Sequence, residues 1–272
     1  MSDAPITAAS VRQDLLAEQD DLDTIVAPMA PDRWELITPS PGWTIGDQIG
    51  HLAYFDRAAA AAIVDLERFR TMRAELADHL ADPAAADEAT LSAARAMSPA
   101  ALLEYWRVGR GELADAASTL ADDTRIEWYG PSMGSKSFLT ARLMEAWAHG
   151  QDIADALGVE RAPTDRLRHI AQLGYITRGW TYANRGLEMP DGDVRVELTA
   201  PSGATWTWGP DDATSTVTGS ALDFCLVTSQ RRNVVDTGLI VAGHAARDWL
   251  AKAQLFAGPP TDPPLPDGAT SS

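Results

Sequence analysis

In the stretch LMEAWAHGQDIADAL, Glu145 and His149 stand four residues apart, a spacing that puts both on one face of an α-helix. A carboxylate and a neutral imidazole are good ligands for zinc and other divalent transition ions. Another histidine, His51, lies in PGWTIGDQIGHLAYFD. Facing helices could bring the three together, and three protein ligands leave a position open for water or substrate, which is how catalytic sites differ from structural ones. Two plainer readings stay open from spacing alone. One is an exposed Glu–His pair worth about 0.2–0.5 kcal/mol. The other is a pair of core histidines with satisfied hydrogen bonds. Asp152, three residues after His149, and Asp47, four before His51, are candidates to orient the imidazoles through their second nitrogens, or are solvated helix charges.

The elements that must carry these residues are read from periodicity. Val11, Leu15, Leu16, Leu22, Ile25 and Val26 in SVRQDLLAEQDDLDTIVAPM follow the spacing of one buried helical face. Thr44 is an N-cap, with Asp47 completing an approximate capping box, and one long second helix is expected from there to about Leu76. A third helix lies within EATLSAARAMSPAALLEYWRVGRGELADAASTLAD, its strong part starting at Ser98-Pro99. The loop EWYGPSMGSKSF leads to a fourth helix that carries Glu145 and His149 and ends at Gly158. This loop is a lid candidate, with Tyr129 as a hydrogen-bond donor to substrate. A fifth helix is read in TDRLRHIAQLGYITRGWTYANRGL.

After MPDGD the pattern changes. VRVELTAP and ATWTWGP alternate, and TSTVTGS is β-branched, so three short strands are expected, followed by the helices SALDFCLVTSQR and VAGHAARDWLAKAQLF. The expected division is a helical bundle over 1–188, a small α+β domain over 189–258 and a disordered Pro-rich tail over 259–272.

The formal charge of −17, from 39 acidic and 22 basic residues, disfavours nucleic acid and anionic membrane surfaces as partners. The opening MSDAPITAASVRQDLLAEQDD lacks the basic start and apolar core of a secretory leader, and no apolar run reaches membrane-spanning length, so a cytoplasmic protein is expected. The single cysteine, Cys225, excludes an internal disulfide and reads as part of an apolar helix face. His79 and His169 lie in charged stretches and are expected at the surface, while His244 precedes an Ala-rich helix. Arg231 and Arg232 are the strongest basic pair of the second module, suited to clamp a carboxylate or to end a helix in solvent.

The motifs PGWTIGDQIGHLAYFD and ARLMEAWAHGQDIADALG resemble the DinB-like superfamily, in particular its branch similar to mycothiol-dependent maleylpyruvate isomerase. The Trp-Thr-x-x-Asp-x-x-x-His start of the second helix and the Glu-x-x-x-His of the fourth match that family's metal triad, which carries over to His51, Glu145 and His149. The C-terminal GSALDFCLVTSQRRNVVDTGLIVAGHAARDWLAKAQLFAGPP resembles the small α+β, sterol-carrier-like module of the same branch.

The resemblance implies a mostly α chain: a DinB-like four-helix bundle with a divalent metal, zinc above all or nickel or another transition ion, followed by that module. It also implies a thiol-dependent isomerase or transferase with mycothiol as cosubstrate. A metal-held thiolate would add to the conjugated double bond of a maleylpyruvate-like substrate, allow rotation and leave. Arg231 and Tyr129 are then the candidate catalytic residues. The expected partners are a small-molecule substrate and a small thiol, with no nucleic acid and no membrane, in a monomer or homodimer. The alternative is a noncatalytic metal-binding, small-ligand-binding or stress-response protein on the same bundle, and a third reading is a scaffold with a vestigial triad.

Overall fold

The computed structural model describes residues 5–79 and 82–269, which form two compact units dividing between Arg161 and Ala162. In the first unit, α1 (Ala8–Val26) packs on α6 (Ser135–Leu157), and α2 (Ile45–Val64) packs on α5 (Pro99–Ala117) and α6. Val11, Leu15, Leu22 and Val26 of α1 are buried, as are Ile45, Ile49 and Leu52 of α2 and Leu102, Trp106 and Leu113 of α5. On α1 the stripe predicted by the three-and-four periodicity is buried except at Leu16 and Ile25, which are half-buried, and burial of these apolar faces is the main drive for assembling the bundle.

Local chemistry sets the helix ends. Thr44 accepts from the Asp47 amide while Asp47 accepts from the Thr44 amide, a complete capping box at the start of α2. Ser98 caps α5, and Gly158, at φ 66°, ends α6 in the left-handed region.

The long second helix expected from sequence is two helices. Asp65 leaves helical geometry, and its carboxylate accepts from the Arg68 amide (3.2 Å) to start α3 (Leu66–Ala77). The third helix is likewise preceded by a separate α4 (Pro83–Arg95). Gly50 lets α4 approach α2 closely, since a Cβ there would stand 2.7 Å from that of Ala94.

Asp23 of α1 ties α1 to α5. Its carboxylate accepts from Arg107 (2.8 and 2.6 Å) and Arg110 (2.6 Å). The Arg107 hydrogen bonds, against the opposing effect of burial and with help from Arg110, hold this carboxyl below its ordinary value. A carboxyl depressed in the folded state stabilises above its unfolded pKa, and that stabilisation is lost as pH falls through the folded value. Stability is therefore expected to lose this contribution below about pH 4, and Asp23→Asn to remove that part of the acid limb. Urea midpoints of both proteins between pH 7 and pH 3 check it, and parallel profiles would contradict it.

The second unit holds α7 (Leu167–Ile176), α8 (Arg178–Arg185), α9 (Ala221–Thr228), α10 (His244–Leu250) and a four-stranded sheet. Strands β1 (Arg125–Ile126) and β2 (Met133–Gly134) form a small hairpin in the first unit. The sheet comprises β3 (Val194–Thr199), β4 (Thr205–Trp208), β5 (Ser215–Ser220) and β6 (Ile240–Ala242) in the order β4-β3-β5-β6, with β3 and β5 parallel. Strand β6 joins the three expected strands; it is too short to show alternation.

The unit boundary precedes α7, whereas periodicity placed it at 188. The reason is packing: Gly174 of α7 brings that helix so close to α9 that a Cβ would stand 2.8 Å from Thr228 Oγ1. The expected fifth helix is broken at Thr177, whose hydroxyl donates to the carbonyls of Leu173 (2.8 Å) and Gly174 (3.1 Å). The tail expected to be disordered is tied down as far as it is described. Thr261 N–H donates to Gln254 (3.0 Å), Asn233 donates to the Pro264 carbonyl (2.8 Å), and Asp267 N–H donates to Asp236 (3.0 Å). Residues 270–272 of that tail lie outside the described residues.

Cys225 is buried in α9, and burial pushes its thiol up, away from nucleophilic use. His169, expected at the surface, is buried on α7, while His79 and His244 are exposed. Among the described residues no helix is long and apolar enough to cross a membrane.

Candidate metal centre

His51 on α2 and Glu145 and His149 on α6 meet in the first unit. Glu145 Oε2 lies 3.3 Å from His51 Nε2 and 3.0 Å from His149 Nε2. One ligand atom from each residue falls within 4.8 Å of the others. Bonds of about 2.0–2.1 Å in a tetrahedron set ligand atoms about 3.4 Å apart, so the two nitrogen–oxygen spacings suit one small divalent ion, and the donor set of two imidazoles and one carboxylate matches it chemically. Burial and the neighbouring His149 push His51 down to about 4, leaving its ring neutral at physiological pH. Burial pushes the Glu145 carboxyl upward, but hydrogen bonding with His149 and His51 outweighs this and holds it well below its ordinary value. A carboxylate and a neutral imidazole are the protonation states in which these groups bind a metal.

The surroundings are aromatic. The Trp43 ring stacks on His149 (5.9 Å, 17°) and lies 5.2 Å from His51, while Phe55 packs 4.6 Å from His51. Trp43 Nε1–H donates to Asp87 of α4 (2.8 Å), which anchors the indole. Deeper in the bundle, Arg142 donates to Asp56 (3.0 Å), and Gln19 donates to the other carboxylate oxygen (2.9 Å).

The expected partners of the imidazoles are not the ones found. Asp47 is consumed by the cap of α2 and by Arg95 Nε (2.8 Å). Asp152 Oδ2 stays 4.0 Å from His149 Nδ1 and accepts from Ser40 (3.1 Å). His149 Nδ1 instead meets Gln48 Oε1. Gln48 is a residue that sequence reasoning missed; its only signal is its place one turn before His51 on the same helix.

Tyr129 belongs to this unit, but the expected lid is the β1–β2 hairpin, pinned where Trp128 stacks on Phe69 (5.5 Å, 2°). The Tyr129 ring packs edge-on to Phe55 (5.5 Å), its hydroxyl is buried toward that of Tyr54, and burial together with Tyr54 pushes its phenol up. Arg231 lies in the second unit just past α9, donating to the Ser229 carbonyl (2.7 Å), and Arg232 donates to the Arg231 carbonyl (2.7 Å).

Residues 15–154 match the family model described as mycothiol maleylpyruvate isomerase N-terminal domain. The uncharacterized protein Rv0036c of Mycobacterium tuberculosis (strain ATCC 25618 / H37Rv) is 48% identical over 247 residues, covering 91% of this chain and 95% of the relative. The uncharacterized protein MT0041 of strain CDC 1551 / Oshkosh matches to the same extent. The chain belongs to the mycothiol maleylpyruvate isomerase family.

Solved structures of mycothiol-dependent maleylpyruvate isomerase share the family fold with this chain. One aligns with a TM-score of 0.57 at 16% identity, covering 87% of this chain and 93% of the other. A histidine-to-alanine mutant of the isomerase aligns with a TM-score of 0.55 at 17% identity, covering 83% and 90%. This family member is thus a DinB-like bundle followed by a small α+β domain. A second model, described as wyosine base formation, matches residues 190–240.

Proposed function

We propose that this chain holds a divalent metal ion, zinc by preference, through His51, Glu145 and His149. With a small thiol of the mycothiol type it then carries out an isomerase or transferase reaction on a small molecule in the cytoplasm. The observation that carries the reading is the convergence of two imidazoles and one carboxylate at 3.0 and 3.3 Å on facing helices. Family membership supports it, because the solved relatives are described as mycothiol-dependent maleylpyruvate isomerase.

An ion held there supplies Lewis acidity, lowering the pKa of a coordinated thiol so that a thiolate is available at neutral pH. The chain's own residues do the rest. Glu145 offsets part of the ion's charge, and Trp43 and Phe55 supply apolar faces that limit water beside the imidazoles. Tyr129, whose buried hydroxyl faces that of Tyr54, is the proposed hydrogen-bond donor to a substrate oxygen. Arg231 is the proposed partner of a substrate carboxylate, a role suited to a planar guanidinium.

Metal analysis of the purified protein and a cobalt-substituted sample titrated with mycothiol test both halves. One equivalent of metal and a thiol-induced change in the cobalt absorption are expected. Absence of bound metal sinks the reading. A cobalt spectrum indifferent to thiols would leave a noncatalytic metal-binding protein.

A further inference from the structure

We infer that the Trp43 carbonyl, Thr38 and Gln48 form a one-way hydrogen-bond relay that fixes a proton on His149 Nδ1, so that Nε2, turned toward Glu145 and His51, is the nitrogen left to bind an ion. The inference assigns Gln48 as a positioning residue, and its functional meaning rests on the metal reading above.

The direction of the relay follows from counting protons. The Trp43 carbonyl can only accept, and it does so from the Thr38 amide (2.8 Å) and from Thr38 Oγ1 (2.9 Å). A hydroxyl has one proton, so once that is given to Trp43, Thr38 Oγ1 can only accept. Its contact with Gln48 (2.8 Å) must therefore come from the amide Nε2. That orientation leaves the amide oxygen facing His149 Nδ1, and an oxygen without a proton requires the nitrogen to carry one. With Nδ1 protonated, Nε2 is the His149 nitrogen left to give its lone pair to an ion.

Glu145 Oε2 faces the other ring nitrogen, at 3.0 Å from Nε2. Gln48 is 0% exposed, Thr38 5% and His149 8%, so water has little access to substitute for any member. Asp152 Oδ2, at 4.0 Å from Nδ1, is beyond hydrogen-bond range. The relay also starts in the turn that carries Trp43 over the imidazole, closed by the Ile37–Thr44 bridge, so one short segment both covers His149 and sets its proton. His149 Nε2 and Glu145 Oε2 then face each other at 3.0 Å, a hydrogen-bond spacing that an ion takes over when its bonds to both replace the shared proton.

The test is a long-range proton–nitrogen correlation of the histidine rings in the metal-free full-length protein at pH 8, with His149 assigned from the missing signals of His149→Gln. A protonated Nδ1 is expected; a ring protonated only at Nε2 overturns the relay. Gln48→Leu is expected to mix the tautomers and to weaken zinc binding by about 10–100-fold. Gln48→Glu, which keeps the acceptor, should stay close to wild type. Unchanged tautomer and affinity in Gln48→Leu would also overturn it.

Should Gln48→Leu fail to fold, Thr38→Val, which frees the amide to turn, is expected to mix the tautomers where Thr38→Ser does not; equal behaviour of the two counts against the relay. A wild-type protein with the expected tautomer but no zinc affinity would overturn the proposed function and leave the relay standing.

Discussion

Replacing His149 with alanine is expected to abolish stoichiometric zinc binding, while replacing His79 leaves it intact. His149 supplies one of three donors, with its Nε2 3.0 Å from Glu145 Oε2, whereas His79 is exposed and outside the cluster. Zinc sites of four ligands bind with about 10–16 kcal/mol, so one ligand is worth about 3 kcal/mol and its loss more than about 100-fold in affinity. Competition with a chromophoric chelator measures this directly. Glu145→Gln is expected to follow His149→Ala, because it removes the only carboxylate of the cluster and the charge that offsets the ion. Equal zinc affinities in the His149 and His79 variants would refute the ligand assignment.

The second large effect is expected deeper in the bundle. Asp56 is 1% exposed, and its carboxylate accepts from Arg142 on α6 and Gln19 on α1, so one side chain joins three helices. Burial, against the opposing pull of Arg142, raises the Asp56 carboxyl above its ordinary value. Asp56→Ala leaves the Arg142 guanidinium buried without its counter-charge and is expected to cost about 3–5 kcal/mol. The double replacement Asp56→Leu with Arg142→Met removes both charges and should recover most of that loss. Urea unfolding of the single and double variants decides it: a single variant within about 0.5 kcal/mol of wild type would show that the pair does not hold the helices together. Arg142 lies one turn before Glu145 on α6, so loosening this pair is also expected to weaken zinc binding.

Several features were legible without coordinates because they are local. Thr44, Ser98 and Gly158 mark helix ends through hydrogen bonds and backbone angles spanning a few residues, and the structure has all of them. Helix breaks at Asp65 and Thr177 were not legible. Each arises where a side chain offers the backbone an alternative hydrogen bond, and the apolar pattern continues across the break. The place of α7 is not legible for another reason: its membership depends on Gly174 meeting Thr228, a contact across a long sequence separation. The charged neighbours of His169 point to the surface, yet a helix in a packed layer buries one face whatever the other carries.

For the site, the sequence by itself determined that Glu145 and His149 share a helix face, because a four-residue spacing fixes this through helix geometry alone. It also supplied a capped helix to present His51, and a family resemblance that named the three together. Tertiary structure decided the rest. Only the packing of α2 against α6 brings His51 to 3.3 Å from Glu145, and only the folded turn around Thr38 selects Gln48, rather than the charged Asp47 or Asp152, as the partner of His149. The physical reason is that charge and spacing are written along the chain, whereas hydrogen-bond partnership depends on distances of about 3 Å that only the packed helices set.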